Sequence, residues 1–401
     1  MKQWTSWQMS CARSRPTKLV EHLGTSLEGI HVLDLSRVLA APYATMALGE
    51  LGAEVIKIER PGTGDETRQW GPPFWGDQAA YFLSTNRNKR SCEADLSTPE
   101  GQDLVRTLAT QWADIVIENF KPGTLQRYHL ALADLRQANP RLITATLRGY
   151  PEGDDRPGYD FVMQAATGLM SLTGPVDQEP SKVGIAVADI TAGLFLLSGV
   201  LAALVTRYET GFGQHVGVSL FDAQLAWWVN VGMAHLVTGD APRRWGNAHA
   251  QLAPYETFEA LDGHLALAVG NDRQFLALCQ LLGHPAWAVD PLYATNPARV
   301  RHRENLHALL QAEIGQNTVV HWVEAMSRCD VPSGPVRTVP EALAWREQFS
   351  PPMHGWVEGI PQMFLPWRFS ASTVKPHTPP PRLGEHTQEV LALYEKLRKD
   401  S

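Results

Sequence analysis

A chain of 401 residues, 44% of them apolar, is long enough for two or three domains with ordinary buried cores. Its 35 basic and 42 acidic side chains leave a formal charge of −7, and no Lys/Arg block is arranged to track a phosphate backbone, which excludes nucleic acid as the expected partner. Cys11, Cys92, Cys279 and Cys329 are scattered without a Cys-x-x-Cys pair, so neither a zinc centre nor a disulfide framework is expected, and a reducing compartment is.

Residues 1–26 carry Lys2, Arg13, Arg15 and Lys18 but no apolar run of signal-peptide length, and they read as a flexible extension in preference to an acid-poor transit peptide, against which Pro16 and weak amphipathicity count. From Ile30 the pattern is strand (Ile30–Leu35), helix (Ala41–Leu51) and strand (Glu54–Glu59), with Ala44, Ala47, Leu48 and Leu51 on one face and Gly52 to end the helix. A second unit follows: Thr98 caps a helix that begins at Pro99, and a strand runs Ile115–Glu118. A further strand, Leu142–Leu147, precedes Gly149. Strands alternating with helices predict an α/β fold whose parallel sheet is covered on both faces and binds its ligand at the strands' carboxyl ends. The apolar run Ile190–Val205 falls short of the ~20 residues of a membrane span. Its residues Ile190, Leu194, Leu197, Leu201 and Leu204 recur at the spacing of a buried helix, so no membrane partner is expected.

After about Asp240 the composition changes. Strands Tyr255–Phe258 and Leu265–Val269 flank a hairpin signal at Asp262-Gly263, and helical patterns start near Arg273 and Arg303. Beyond Val336 the chain is Pro-rich and ends in a helix from about Thr387 to Lys399. The expected division is a large domain over 27–225, a smaller α+β domain over 226–335, and a return of 336–401 to the large domain.

The first βαβ unit invites a dinucleotide reading with Glu59 as the ribose-binding acid, but Ala40-Ala41-Pro42 stands where the glycine fingerprint belongs. The unit does offer Arg60, Gly62, Gly64 and Arg68, then Arg87, Lys89 and Arg90, cations suited to a phosphorylated ligand or to solvated surface. Further on, Arg156-Pro157-Gly158-Tyr159-Asp160-Phe161-Val162-Met163-Gln164 brings one carboxylate to the start of an apolar helix. Asp160 there can serve as a nucleophile, or simply as a helix cap accepting a backbone N–H.

These stretches, together with Val32-Leu33-Asp34-Leu35-Ser36-Arg37-Val38, Gly62-x-Gly64-Asp65-x-x-Arg68, Asn86-Arg87-Asn88-Lys89-Arg90-Ser91, Glu118-Asn119-Phe120-x-Pro122-Gly123 and Asn139-Pro140-Arg141-Leu142-Ile143, resemble the class III CoA-transferases, the formyl-CoA and carnitine CoA-transferase type. The resemblance implies a Rossmann-like large domain, an interlocked homodimer, and Asp160 as the catalytic residue attacking an acyl-CoA thioester. It also implies that CoA is a substrate, with no permanently bound cofactor or metal. By the same resemblance CoA would be bound by Arg60, Lys89, Arg90, Arg127, Arg148 and Tyr150. The anhydride would be covered by a segment containing Gly246, Asn247 and His249. That segment, Arg244-Trp245-Gly246-Asn247-Ala248-His249, carries one glycine where formyl-CoA transferases have several, and it is more similar to the succinyl-CoA:glutarate CoA-transferases, as is Tyr43-Ala44-Thr45-Met46. Dicarboxylate substrates are therefore expected, with Arg37, Arg148 or His249 receiving the remote carboxylate; Leu39 stands where formyl-CoA transferases carry a Gln. The implied compartment is the cytoplasm, or the mitochondrial matrix in a eukaryote. Two other activities are compatible with the same fold. An α-methylacyl-CoA racemase pairs its Asp with a His, whereas Tyr159 precedes Asp160 here and no His lies between Leu130 and Asp160. A non-catalytic CoA-binding protein would need Asp160 only as a cap.

Overall fold

The structure is a computed structural model that describes residues 24–400; residues 1–23 of the expected extension, with Lys2, Arg13, Arg15, Lys18 and Cys11, lie outside the described residues. Six parallel strands form the main sheet: β1 (His31–Asp34), β2 (Glu54–Glu59), β3 (Lys89–Glu93), β4 (Ile115–Glu118), β5 (Ile143–Arg148) and β6 (His215–Ser219). Their spatial order is β3-β2-β1-β4-β5-β6, the doubly wound order in which the connections reverse direction between β1 and β4. A crevice opens at such a point because the loops leaving β1 and β4 diverge to opposite sides.

Successive strand residues point to opposite faces, so each strand feeds two cores. Val32, Ile115 and Ile117 pack under α1 (Ala40–Glu50), while Leu33 and Val116 pack under α2 (Pro99–Thr107). Thr98 caps α2 as the sequence predicts, its side chain accepting the Gly101 N–H. Two further helices belong to the first face: the short α3 (Asp160–Ala166) and the long α4 (Val187–Thr210). The terminal helix α5 (Thr387–Lys399) returns to the second face, where Val390 is fully buried. Asn88 and Ser91 hydrogen bond to Thr378 and His386, holding the returning segment along β3.

α4 corrects one expectation. It has 24 residues, and by length and composition it could cross a membrane, yet one face is sealed into the core. The stripe that seals is Ala188, Ala192, Leu196, Val200 and Ala203, whereas Leu194 of the expected stripe is exposed. Close approach to α1 decides this: a Cβ on Gly193 would lie 2.5 Å from the Ala40 carbonyl oxygen, so a small residue must face α1 there and Leu194 turns outward, while Leu197 of the expected stripe stays buried and Leu201 and Leu204 pack against the core.

Residues Phe258 to Val331 supply a third hydrophobic cluster. It packs beneath an antiparallel sheet of β7 (Tyr255–Ala260), β8 (Gly263–Ala268) and β9 (Ser333–Pro335). The hairpin forms where the sequence places it, with a register one residue off: Gly263 pairs with Ala260, leaving Leu261-Asp262 as the two-residue turn.

Candidate active site

Asp160 is delivered by a close backbone crossing. At the end of β5, Gly149 passes Gly158 so tightly that a Cβ on Gly149 would sit 2.7 Å from the Gly158 Cα. Tyr159 is extended and α3 begins at Asp160, with no side-chain cap on the helix from Tyr159. The carboxylate does not cap its own helix. It crosses to the N-terminus of α4, where Oδ1 accepts the Ala188 N–H at 2.7 Å and the Asp189 N–H at 3.4 Å. One turn along α3, the Gln164 side chain donates to Asp160 Oδ2 at 2.7 Å, and its own oxygen accepts the Val183 N–H at 2.8 Å. Donors at both carboxylate oxygens and the positive end of a long helix are what an anionic nucleophile requires.

The neighbours are acidic and aromatic. Asp189 is 8% exposed, and burial followed by the nearby charge of Asp160 pushes it up to about 7. Burial, reinforced by Asp189 and Asp160, pushes the Tyr81 hydroxyl up to about 12. Trp70 contacts both Tyr81 and Tyr159, with ring centroids 5.1 and 6.4 Å away.

Two adjoining cavities lie at the switch point. The smaller, about 160 Å³, is lined by Arg37, Leu39, Arg148, Gly149, Tyr159 and Asp189, among others. The larger, about 890 Å³, runs over the carboxyl ends of β1 and β2 past Arg60, Gly64, Trp70 and Tyr128. Arg37, Glu66, Phe120 and Lys121 line both. The loops meet here through Asn119, which accepts the Arg37 N–H at 2.9 Å and donates to the Arg37 carbonyl at 2.7 Å. Arg37 itself is committed to Glu66 at 2.7 Å. The Arg148 side chain makes no hydrogen bond or ion pair among the described residues, its charge acting only at longer range, as on Glu118, which leaves a half-buried guanidinium facing the smaller cavity.

The expected CoA-binding residues divide. Arg60 is exposed on the larger cavity, and Arg127 is exposed on the short helix Thr124–Arg127, beside the cavity-lining Thr124. Lys89 is fully enclosed: its ammonium donates to Asp34, Asn86 and the Pro42 carbonyl, so it neutralises a buried acid and presents no charge to a ligand. Arg90 pairs with Glu54 at the amino end of β2, whereas the cavities open at the carboxyl ends. Both are corrections: alternation along β3 turns Lys89 into the buried face beside Asp34 and Pro42, and Arg90, on the other face, stands at the amino end of the strand. Tyr150 is a core residue, its ring stacked on Phe221 and covered by the Arg156 guanidinium at 4.2 Å. Glu59, the would-be ribose acid, is buried under two hydrogen bonds from Arg68 and one from Ser91.

The Gly246, Asn247 and His249 segment is not brought to Asp160 within one chain. It lines a separate cavity of about 580 Å³. Trp245 is held between the guanidinium groups of Arg243 and Arg303, and Arg303 donates to the His249 and Ala250 carbonyls. Gln164, Asp189 and Tyr81 escaped the sequence reading. Gln164 was within reach of helical i,i+4 spacing from Asp160; the other two come from remote segments with no local signal.

A family model described as CoA-transferase family III matches residues 27–387. A succinate–glutarate CoA-transferase of Agrobacterium fabrum is 41% identical over 387 residues, covering 93% of this chain and 96% of that protein. A human succinyl-CoA:glutarate CoA-transferase is 36% identical over 382 residues, covering 93% of this chain and 86% of that one. Among solved structures, a CAIB/BAIF family protein from Brucella suis matches with a TM-score of 0.82 at 41% identity, covering 93% of this chain and 100% of that chain.

Proposed function

From the premise that this chain belongs to CoA-transferase family III and moves CoA from an acyl-CoA to a carboxylic acid, we propose that both acids are dicarboxylates, succinate and glutarate, ahead of a second reading with oxalate or the monocarboxylate formate. The observation that carries this is the unpaired Arg148 guanidinium in the cavity beside Tyr159 and Asp189, joined there by Arg37. A second carboxylate entering a partly closed site needs such a partner, because an unpaired charge there is costly. The names of the two relatives agree with that chemistry.

Asp160 is the nucleophile of this reading. Its carboxylate attacks the thioester carbonyl, the C–S bond breaks, and an aspartyl–acyl anhydride and CoA thiolate result. The thiolate then attacks the Asp160 carbonyl, the donor acid leaves as its carboxylate, and an aspartyl-CoA thioester remains. The acceptor acid runs the two steps in reverse, and covalent catalysis thereby divides one hard exchange into easier ones. Arg60, with Arg127 close by, serves the CoA phosphates along the larger cavity, and the smaller one takes the acyl end.

The protein works as a homodimer in this reading. α4 and the helix Val229–Thr238 expose Leu194, Tyr208, Val229, Met233, Leu236 and Val237, more apolar surface than a monomer ordinarily leaves to water. A second copy covering these helices would also be the source of a cover for Asp160. The division at 27–225, 226–335 and 336–401, and a cytoplasmic location, belong to the same proposal. The test is CoA exchange between succinyl-CoA and a panel of acids: glutarate should exceed valerate in kcat/KM, and equal values would remove the dicarboxylate assignment.

A further inference from the structure

The turn from β1 into α1 is strained where it walls the smaller cavity. Val38 has a φ of 73°, in the left-handed region that a β-branched residue rarely adopts, and Val38, Leu39 and Ala40 all line that cavity. Such a conformation persists only where the surroundings over-determine it, and it gathers at functional sites. Here buried side chains take up the backbone groups of the turn one after another. Asp34 accepts the Ser36 N–H at 2.9 Å, Lys57 donates to the Ser36 carbonyl at 2.6 Å, and Asn119 bonds both the N–H and the carbonyl of Arg37. Asp65 closes the series: the Val38 N–H donates to its carboxylate, with both oxygens 3.2 Å from the nitrogen.

Asp65 is itself locked. It is 1% exposed; Oδ2 pairs with the fully buried Lys57 at 3.0 Å, Oδ1 accepts the Thr67 N–H at 3.0 Å and the Thr67 hydroxyl at 2.8 Å, and its own N–H donates to Glu59 at 3.0 Å. Burial opposes the charge, but Lys57 and Thr67 outweigh it and hold the carboxyl below the usual carboxylate range. Asp65 and Lys57 also stand in the wall of the larger cavity, with so little exposure that neither charge is offered to a ligand. Beyond Val38 the restraints stop: α1 begins at Ala40 with no side-chain cap and no acid in its first turn, and Leu39, though buried, belongs to none of the three hydrophobic clusters. Its place is therefore set from behind, through the turn.

We propose that Asp65 is a positioning residue for the transfer reaction: by holding the Val38 N–H it keeps the turn in its strained form and so fixes Leu39 and Ala40 as a wall of the smaller cavity; the role rests on the reading that this cavity takes the acyl end. Without that hold, Val38 relaxes out of the left-handed region and the wall shifts. A displacement of about 1 Å in how a substrate is held can cost about 10² in rate. The loss falls on turnover more than on capture of CoA, whose phosphates lie along the other cavity.

The test is made on the full chain in a Lys57→Met background, so that no buried ammonium is stranded when Asp65 changes. Lys57→Met/Asp65→Ala removes the acceptor of the Val38 N–H and should lower kcat for succinyl-CoA and glutarate exchange by about a hundred-fold, with a smaller change in KM. Lys57→Met/Asp65→Asn keeps an oxygen for that N–H and should recover most of the loss. Adding Val38→Gly to the Ala form lets the turn keep its shape unaided and should raise kcat about ten-fold, a gain the same substitution should not give with Asp65 in place. Equal kcat in the Ala and Asn forms, or an Ala form that Val38→Gly does not improve, would overturn the role. Amide exchange on wild type decides the matter where the Ala form fails to fold: the Ser36, Arg37 and Val38 N–H groups should exchange slowly, and exchange at the rate of an open loop would overturn it. Arg148→Ala separates the layers: an unaltered preference for glutarate over valerate removes the reading of the smaller cavity, whereas loss of that preference together with equal kcat in the Ala and Asn forms removes the role of Asp65 alone.

Discussion

Replacing Asp189 by Asn should change how stability depends on pH, independently of any catalytic effect. In the folded chain burial and Asp160 raise this acid from 3.8 to about 7. The folded state therefore holds the proton more tightly than the unfolded state. The stability associated with the protonated group is fully present below about 4 and is lost as pH rises to about 7. Between pH 5 and pH 8 the loss spans about two pH units, at 1.36 kcal/mol each, so it amounts to about 3 kcal/mol. The Asn variant has no proton to lose and should escape that decline. Urea unfolding of both proteins at the two pH values measures it: the variant should gain on wild type by about 3 kcal/mol on going to pH 8. A stability difference that is the same at both pH values would refute the placement of an uncompensated acid beside Asp160.

Other outcomes follow from particular contacts. Gly158→Ala puts a Cβ 2.9 Å from both the Gly149 Cα and the Met163 Cε, which must shift α3 and its Asp160; kcat should fall about a hundred-fold while CoA binding by calorimetry is retained, and unaltered kcat would contradict the crossing's role. Arg148→Ala should erase the preference for glutarate over valerate, a loss of roughly ten- to hundred-fold for one charge-assisted contact, and a preserved ratio would place the remote carboxylate elsewhere. Lys89→Ala strands the buried Asp34 and should cost about 3–5 kcal/mol in thermal or urea unfolding, whereas Arg60→Ala should raise KM for acyl-CoA with the melting temperature unmoved; the opposite pattern would restore Lys89 as a ligand.

Much of the sheet was legible because strands β1, β2, β4 and β5 are apolar runs with helices between them, and Thr98-Pro99 marks a helix start in two residues. β3 was not, since Lys89-Arg90-Ser91-Cys92-Glu93 reads as polar surface, and only tertiary pairing with Asp34 makes its lysine a core residue. The same limit affected the cations expected to meet a phosphorylated ligand: composition shows charge, but the sheet decides which end it occupies. In α4 the expected stripe held at Leu197, Leu201 and Leu204, whereas Leu194 turns outward because small residues make the close approach to α1. Asp160 was visible as an acid after Pro-Gly. Its donors at Ala188 and its acidic neighbour Asp189 were not, because 28 residues separate Asp160 from the helix terminus it faces.

The central claim is that Asp160 becomes covalently acylated, and mass analysis after hydroxylamine trapping tests it most directly. Wild type incubated with acyl-CoA and then hydroxylamine should yield an aspartyl hydroxamate on the peptide containing Asp160 and on no other. Asp160→Ala and Asp160→Asn should give no adduct and no CoA transfer. Loss of the acceptor for the Ala188 N–H should cost the Ala variant only about 1 kcal/mol, so it should still fold. An unmodified Asp160 peptide in wild type, or near-normal transfer in Asp160→Ala, would contradict the account.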